Sequence, residues 1–231
     1  MMDPLVRYLT HPQVQVDPAI PVPSWSLSTV GRGRVQALVR AGWLAGTTQV
    51  ISSAEAKAVE TAQPIAAALR ADFEIREAMH ENDRSATGFV PPHEFERLAD
   101  AFFAHPAQSI RGWERAIDAQ DRIVREAERA IEQQQKGDLL FVGHGAVGTL
   151  LLCFYSRMPI SRVHDQPGGG GNYFTITKAE RRVLHAWRPI EKVFEHGRRS
   201  LCATRRPAQK MSERAAETVL NGDSDWPGKP R

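Results

Sequence analysis

Cysteine is almost missing from this chain. Cys153 and Cys202 are the two copies in 231 residues, one inside an apolar run and the other in a charged stretch. That excludes a disulfide framework and a CxxC metal site, and it fits a reducing, cytoplasmic compartment. Unbroken apolar length is scarce as well. The longest apolar stretch, "LLFVGHGAVGTLLLCFY", is interrupted by His144 and three glycines, whereas a membrane span needs about 20 largely apolar residues. The opening "MMDPLV" has no basic segment leading into a long apolar one, so no secretory signal is expected. Excess charge of one sign is lacking too. The formal charge is +3, and residues 191–231 account for it with nine Lys or Arg against six Asp or Glu; residues 1–190 carry 21 of each. A neutral body has no electrostatic footprint for nucleic acid, so neither nucleic acid nor a membrane is expected as a partner.

What is present suits a globular protein: 42% hydrophobic and 25% charged residues, enough to build one sizeable core. Runs rich in β-branched and aromatic residues alternate with segments of helical period, which predicts an α/β fold. "LVRYLT" (5–10) reads as a first strand, "TQVISS" as a second, "FEIREAM" as a short third and "GDLLFVGHG" as the clearest buried one. Ser28 is placed to cap a helix containing Val35, Leu38 and Val39, and Ser53 to cap the Ala-rich helix "AEAKAVETAQPIAAALRA", with Glu55 in its first turn. Helices are predicted over "HEFERLADAFFAH" and over the stretch from Ile110, where Trp113, Ile117, Ile123 and Ile131 share a stripe. The helix after the buried strand is apolar nearly all round. Two strands joined by "KAERR" predict an antiparallel edge. Residues 1–190 form the expected domain; residues 191–231, charged and without sustained apolar period, read as a flexible tail.

Chemistry in open α/β sheets gathers beyond the carboxyl ends of strands. His11 follows the first strand, Glu81 with Asp83 and Arg84 follows the third, and His144 follows the buried one; Lys57 lies one helical turn past the second. Glu81 competes with Asp83 and Glu77 for any acid role. "HDQPGGGG" offers backbone amides that could cradle an anion. No pair near His80, Glu81, Asp83 and His144 has the H-x-x-x-H spacing of a helical zinc site.

Four segments in order carry a resemblance. "LSTVGRGRVQAL" resembles an L-[ST]-x-x-G-x-x-Q-A helix entry, and "SSAEAKAVETA" is similar to S-S-x-x-x-R-A-x-x-T-A. "FVGHGAVGTLLL" matches a segment carrying a second histidine, and "GGNYFTI" is like a closing N-x-[ST]-[IV] strand. Together, over residues 5 to about 188, they resemble the histidine phosphatase superfamily, the phosphoglycerate-mutase-like phosphatases. The resemblance implies a three-layer α/β/α sandwich, its sheet mostly parallel with an antiparallel edge. It also implies hydrolysis of a small phosphorylated substrate through a phosphohistidine at His11, without metal or organic cofactor. Imidazole suits that role because its ordinary pKa lies near physiological pH. Glu81 would serve as general acid and then base. His144, Lys57, Arg84 and Thr10 would surround the phosphate.

The chain departs from the family pattern at two places. "THP" (10–12) stands where the family has R-H-G, which removes an arginine and an N–H, and Lys57 stands where the family has a second arginine, losing the planar two-pronged grip on oxygens. Arg84 is the preferred replacement. Arg7 is the alternative, about 13 Å back along an extended strand. A rival register, "VRYLT" for "VRHGE", would put Tyr8 at the nucleophile position and leave a catalytically dead relative. Phe89, Phe95 and Trp113 lie in an insert expected to cover the site and select the substrate.

Overall fold

A computed structural model of the chain describes residues 3–192, so the expected tail lies outside the described residues from residue 193 onward. Four parallel strands come first along the chain: β1 (Leu5–Thr10), β2 (Thr47–Ser53), β3 (Asp72–Arg76) and β4 (Asp138–Gly143). Two more, β5 (Asn172–Thr177) and β6 (Val183–Pro189), form an antiparallel hairpin against β1. The spatial order is β3-β2-β4-β1-β5-β6. β4 is therefore central and its residues are covered on both faces, which is why it reads as a continuous apolar run rather than an alternating one.

The helices take two sides. On one face Leu9, Val50, Leu140 and Val142 meet α1 (Thr29–Arg40) and α2 (Ala56–Leu69), through residues such as Leu38, Ala62 and Ile65. On the other, Tyr8, Ile51, Leu139 and Phe141 meet α3 (Pro92–Ala104), α4 (Ala116–Gln133) and α5 (Gly145–Tyr155), through residues such as Phe102, Ile123 and Leu150. The molecule is thus a three-layer α/β/α sandwich with an antiparallel edge. Adjacent residues of one strand serve opposite cores, as Tyr8 and Leu9 do, because side chains alternate across the sheet.

Local signals explain most element ends, and two of them fall elsewhere than the sequence predicts. Ser28 caps α1, its Oγ accepting from Gly31 N at 3.1 Å. Ser53 does not cap α2: that helix begins at Ala56 behind Glu55, and no side chain caps it. Trp113 is not on a helix. Arg111 and Gly112 adopt φ of 51° and 84°, a left-handed pair that no α-helix continues through, so α4 starts at Ala116. Trp113 is buried all the same, with its Nε1 donating to Thr87 Oγ1 at 2.9 Å.

Candidate active site

Strand register brings the two histidines together. β1 and β4 are parallel neighbours in which Thr10 pairs with Gly143, so the next residue of each strand emerges at the same level of the sheet. Those residues are His11 and His144. The His11 N–H donates to Gly143 O at 3.0 Å, and the two rings lie edge to face with centroids 5.3 Å apart. From β2, which pairs with β4 on its other side, Ser53 places its Oγ 2.8 Å from His144 Nε2.

Each ring is held in a defined way. His11 Nδ1 is 2.8 Å from the Pro12 carbonyl, an acceptor only, so Nδ1 carries the proton and the Nε2 lone pair is left bare. The backbone of His144 is fixed by Tyr8, whose phenol accepts from His144 N at 3.0 Å and donates to His144 O at 3.2 Å. His144 Nε2 also lies 3.4 Å from Glu55 Oε1. The negative charge of that carboxylate favours a proton on Nε2, which is hydrogen-bonded to the Ser53 hydroxyl, and the buried Nδ1 has no partner among the described residues. Burial lowers both imidazoles, assisted by the positive charges of Lys57 and Arg84. His11 falls to about 4 and His144 well below its ordinary value, so both are neutral at physiological pH.

Charged groups lie beside them. Lys57, 4% exposed, donates to the Val22 carbonyl at 2.8 Å and forms an ion pair with Glu55. The other oxygen of Glu55, Oε1, accepts from Glu81 N at 2.9 Å. Burial alone would push the Glu55 carboxyl up, but the Lys57 ammonium and the Glu81 N–H outweigh it and hold the group below the ordinary carboxylate range. The Glu81 carboxylate rests on the start of α5, accepting from Ala146 N at 3.2 Å and Val147 N at 3.1 Å, where the amides of a helix N-terminus have no partners of their own. The Arg84 guanidinium stands over the rings of Phe95 and Trp113, 5.0 and 5.6 Å from their centroids, without a carboxylate partner among the described residues. A cleft of about 1170 Å³ opens in front of this group, between residues 18–24, the start of α2 and residues 77–89. Glu55, Glu81, Asn82 and Arg84 line it, and neither imidazole does. Asn82 is 4% exposed, and its Nδ2 donor is buried without a partner among the described residues.

Residues 22–187 match the sequence profile of the histidine phosphatase superfamily (branch 1). The chain belongs to that superfamily. The matched segment contains Lys57, Glu81 and His144 and begins after His11, so the first motif lies outside it. Several solved structures superpose on the chain. A mycobacterial glucosyl-3-phosphoglycerate phosphatase is 14% identical with a TM-score of 0.63, over 81% of this chain and 97% of that one. YhfR of Bacillus stearothermophilus is 17% identical with a TM-score of 0.65, over 79% and 94%. A phosphoserine phosphatase of Entamoeba histolytica, solved with 3-phosphoglyceric acid, is 13% identical with a TM-score of 0.62, over 78% and 93%. At such identities the likeness is one of fold. No curated protein matches the sequence.

Within this histidine phosphatase fold the expected residues meet different fates. His11, His144, Lys57, Glu81 and Arg84 converge at the carboxyl ends of the parallel strands. Thr10 does not turn toward an anion: its hydroxyl donates to Gln166 Oε1 at 2.7 Å and accepts from Asn172 N at 3.0 Å, which ties β1 to the loop before β5. Arg7 points the other way along β1, pairs with Asp138 at 2.7 Å and covers Trp43. Tyr8 lies in the core, 1% exposed, beneath His144 rather than in the cleft. The tetraglycine presents carbonyls to Arg34, from Gly169 and Gly170, while Gly171 N donates to His11 O. Its work is to clamp the first histidine, not to cradle an anion. Asp83 and Glu77 are exposed residues of the cleft wall, and Asp83 accepts from Ser85 N. Of the three aromatics, Phe89 lines the cleft against Trp25, whereas Phe95 and Trp113 support Arg84 from behind. Glu55 and Asn82 escaped the sequence reading as site residues. The "EAK" spacing carried a signal for Glu55, because residues 55 and 57 flank a helix start that the strand ends aim at the histidines.

Proposed function

We propose that the chain hydrolyses a small phosphomonoester through a phosphohistidine at His11, with neither metal nor organic cofactor taking part. The observation that supports this best is the pairing of two neutral imidazoles at adjacent strand ends, with His11 Nδ1–H committed to Pro12 O. His11 Nε2 attacks phosphorus as the bond to the leaving oxygen breaks, and Glu81, entering in its acid form, gives that oxygen a proton. Water then attacks the phosphoryl group, Glu81 takes up a proton, and inorganic phosphate leaves with His11 restored. His144 Nε2–H, Lys57 and Arg84 are the donors for charge gathering on the equatorial oxygens.

The test is rapid trapping of the enzyme during turnover of a generic phosphomonoester in the presence of chelator. Phosphate is expected on His11, and His11→Ala is expected to lose about 10³-fold or more in turnover. Full activity in His11→Ala overturns the reading. A second reading, a phosphate-binding relative that does not turn over, is favoured by one observation: Lys57 already has a carboxylate partner in Glu55. It prevails if no phosphoryl-enzyme forms while inorganic phosphate still raises the melting temperature.

A further inference from the structure

The cradle holds an anion of its own. Two donors bind the Glu55 carboxylate, Lys57 Nζ and the Glu81 N–H at 2.9 Å, and His144 Nε2, which is bonded to Ser53 Oγ, lies 3.4 Å from it. A cation, a backbone amide and an imidazole are the donor types that a bound oxyanion recruits. The carboxylate also sits at the mouth of the buried chemistry: Glu55 lines the cleft, and His144 behind it is 0% exposed. A helix-capping role does not account for it, since Glu55 makes no side-chain cap bond at the start of α2. Charge points the same way. Lys57 is buried and already paired with Glu55, so a phosphate dianion would meet a cation whose charge is taken.

We propose that Glu55 is an internal counter-anion that occupies the phosphoryl position, so that an anionic ligand binds only by displacing its carboxylate from Lys57 and His144. This rests on the reading above that the site takes a phosphate group, and it adds a gate to that site. Glu55 competes with the ligand for the same donors. Ligands that carry enough binding elsewhere in the cleft, at the Arg84 that lines it, open the gate; inorganic phosphate alone opens it poorly. Glu55 thereby discriminates between whole substrates and free phosphate.

The experiment titrates the full chain with inorganic phosphate, by calorimetry and by thermal melting, in a buffer free of other oxyanions. Wild type is expected to bind weakly. Glu55→Gln is expected to bind phosphate about tenfold more tightly or better, because a like charge has left the anion position. Its melting temperature should fall in phosphate-free buffer, where Lys57 has lost its partner, and recover as phosphate is added. The double variant Glu55→Gln/Lys57→Met should melt near wild type and show no gain in phosphate affinity. Glu77→Gln, the same charge change at an exposed cleft residue that bonds neither Lys57 nor His144, should behave as wild type. Unchanged phosphate affinity in Glu55→Gln, or an equal gain in Glu77→Gln, overturns the proposal. If Glu55→Gln does not fold, Glu55→Asp takes its place: the shorter side chain withdraws the carboxylate, a smaller gain is expected, and no gain overturns it. The two readings fail separately. A gain in phosphate affinity without any trapped phosphohistidine leaves the gate standing and removes the hydrolase; a trapped phosphohistidine with unchanged affinity does the reverse.

Discussion

Tyr8 is the residue on which the site's geometry turns, in a role other than the nucleophile position that the rival register would give it. Its phenol bridges the N–H and C=O of His144 at the point where β4 becomes α5, and burial raises its pKa, so the hydroxyl keeps the proton it donates. Tyr8→Phe leaves the ring packing intact and strands a buried N–H. We expect a loss of about 1–3 kcal/mol in stability, measured by urea unfolding; an unchanged midpoint would show that water or another group takes over. The site residues divide by how they could be read. His11 and His144 stood out because a reactive side chain at a strand end is informative. Arg84 stood out as a cation near one of those ends, and Lys57 only through its place in the "SSAEAKAVETA" resemblance. Asn82 was illegible because its meaning lies in a missing partner, which a sequence does not display.

At the level of elements, the contact between α5 and β1 decides a case in which local propensity gives the wrong sign. Gly148 lies inside α5, where alanine would ordinarily stabilise a helix by about 1 kcal/mol. A Cβ there would come within 2.5 Å of Tyr8 Cε1 and 2.9 Å of the Trp187 ring. Gly148→Ala is therefore expected to destabilise by about 1–3 kcal/mol, read in the same unfolding assay. A stabilised variant would mean that the helix can move away from the sheet. Other elements show where periodicity suffices. β4 and α5 were legible as a buried strand and a buried helix because both faces of one and most of the other meet apolar neighbours. The start of α4 was not: the apolar stripe continues back to Trp113, but Arg111 and Gly112 turn left-handed, and a stripe records burial rather than backbone conformation. Ser53 was misread as a cap for a similar reason. A serine before a helix has the right chemistry for the amides, but here its hydroxyl serves His144.

For the whole molecule, the buried His144 and the partly buried His11 couple stability to pH. His11 has its pKa lowered to about 4 and His144 is lowered too, against an ordinary value of 6.5. The unfolded chain takes up these protons before the folded one does. The stability they protect is complete above pH 6.5 and is lost as pH falls through 6.5 toward 4, by up to about 1.4 kcal/mol per pH unit for each histidine. Glu55, also held down, adds a further loss below its ordinary 4.5. Urea unfolding between neutral pH and about pH 5 should show this slope in wild type, and roughly half of it in His11→Ala. Equal slopes would mean that His11 does not contribute as a partly buried neutral group.

The sequence by itself determined the layered α/β architecture and which strand ends carry histidine, because strand and helix periods and apolar runs are properties of consecutive residues. It also determined that residues 22–187 carry the histidine phosphatase pattern. Only the tertiary structure decided that Thr10 and Arg7 face away from the site and that the tetraglycine clamps a backbone. It alone set Glu55 between Lys57 and His144. Those outcomes depend on register across the sheet and on which donors converge at one point. Distances between residues far apart in the chain are fixed by packing, and no local pattern encodes them.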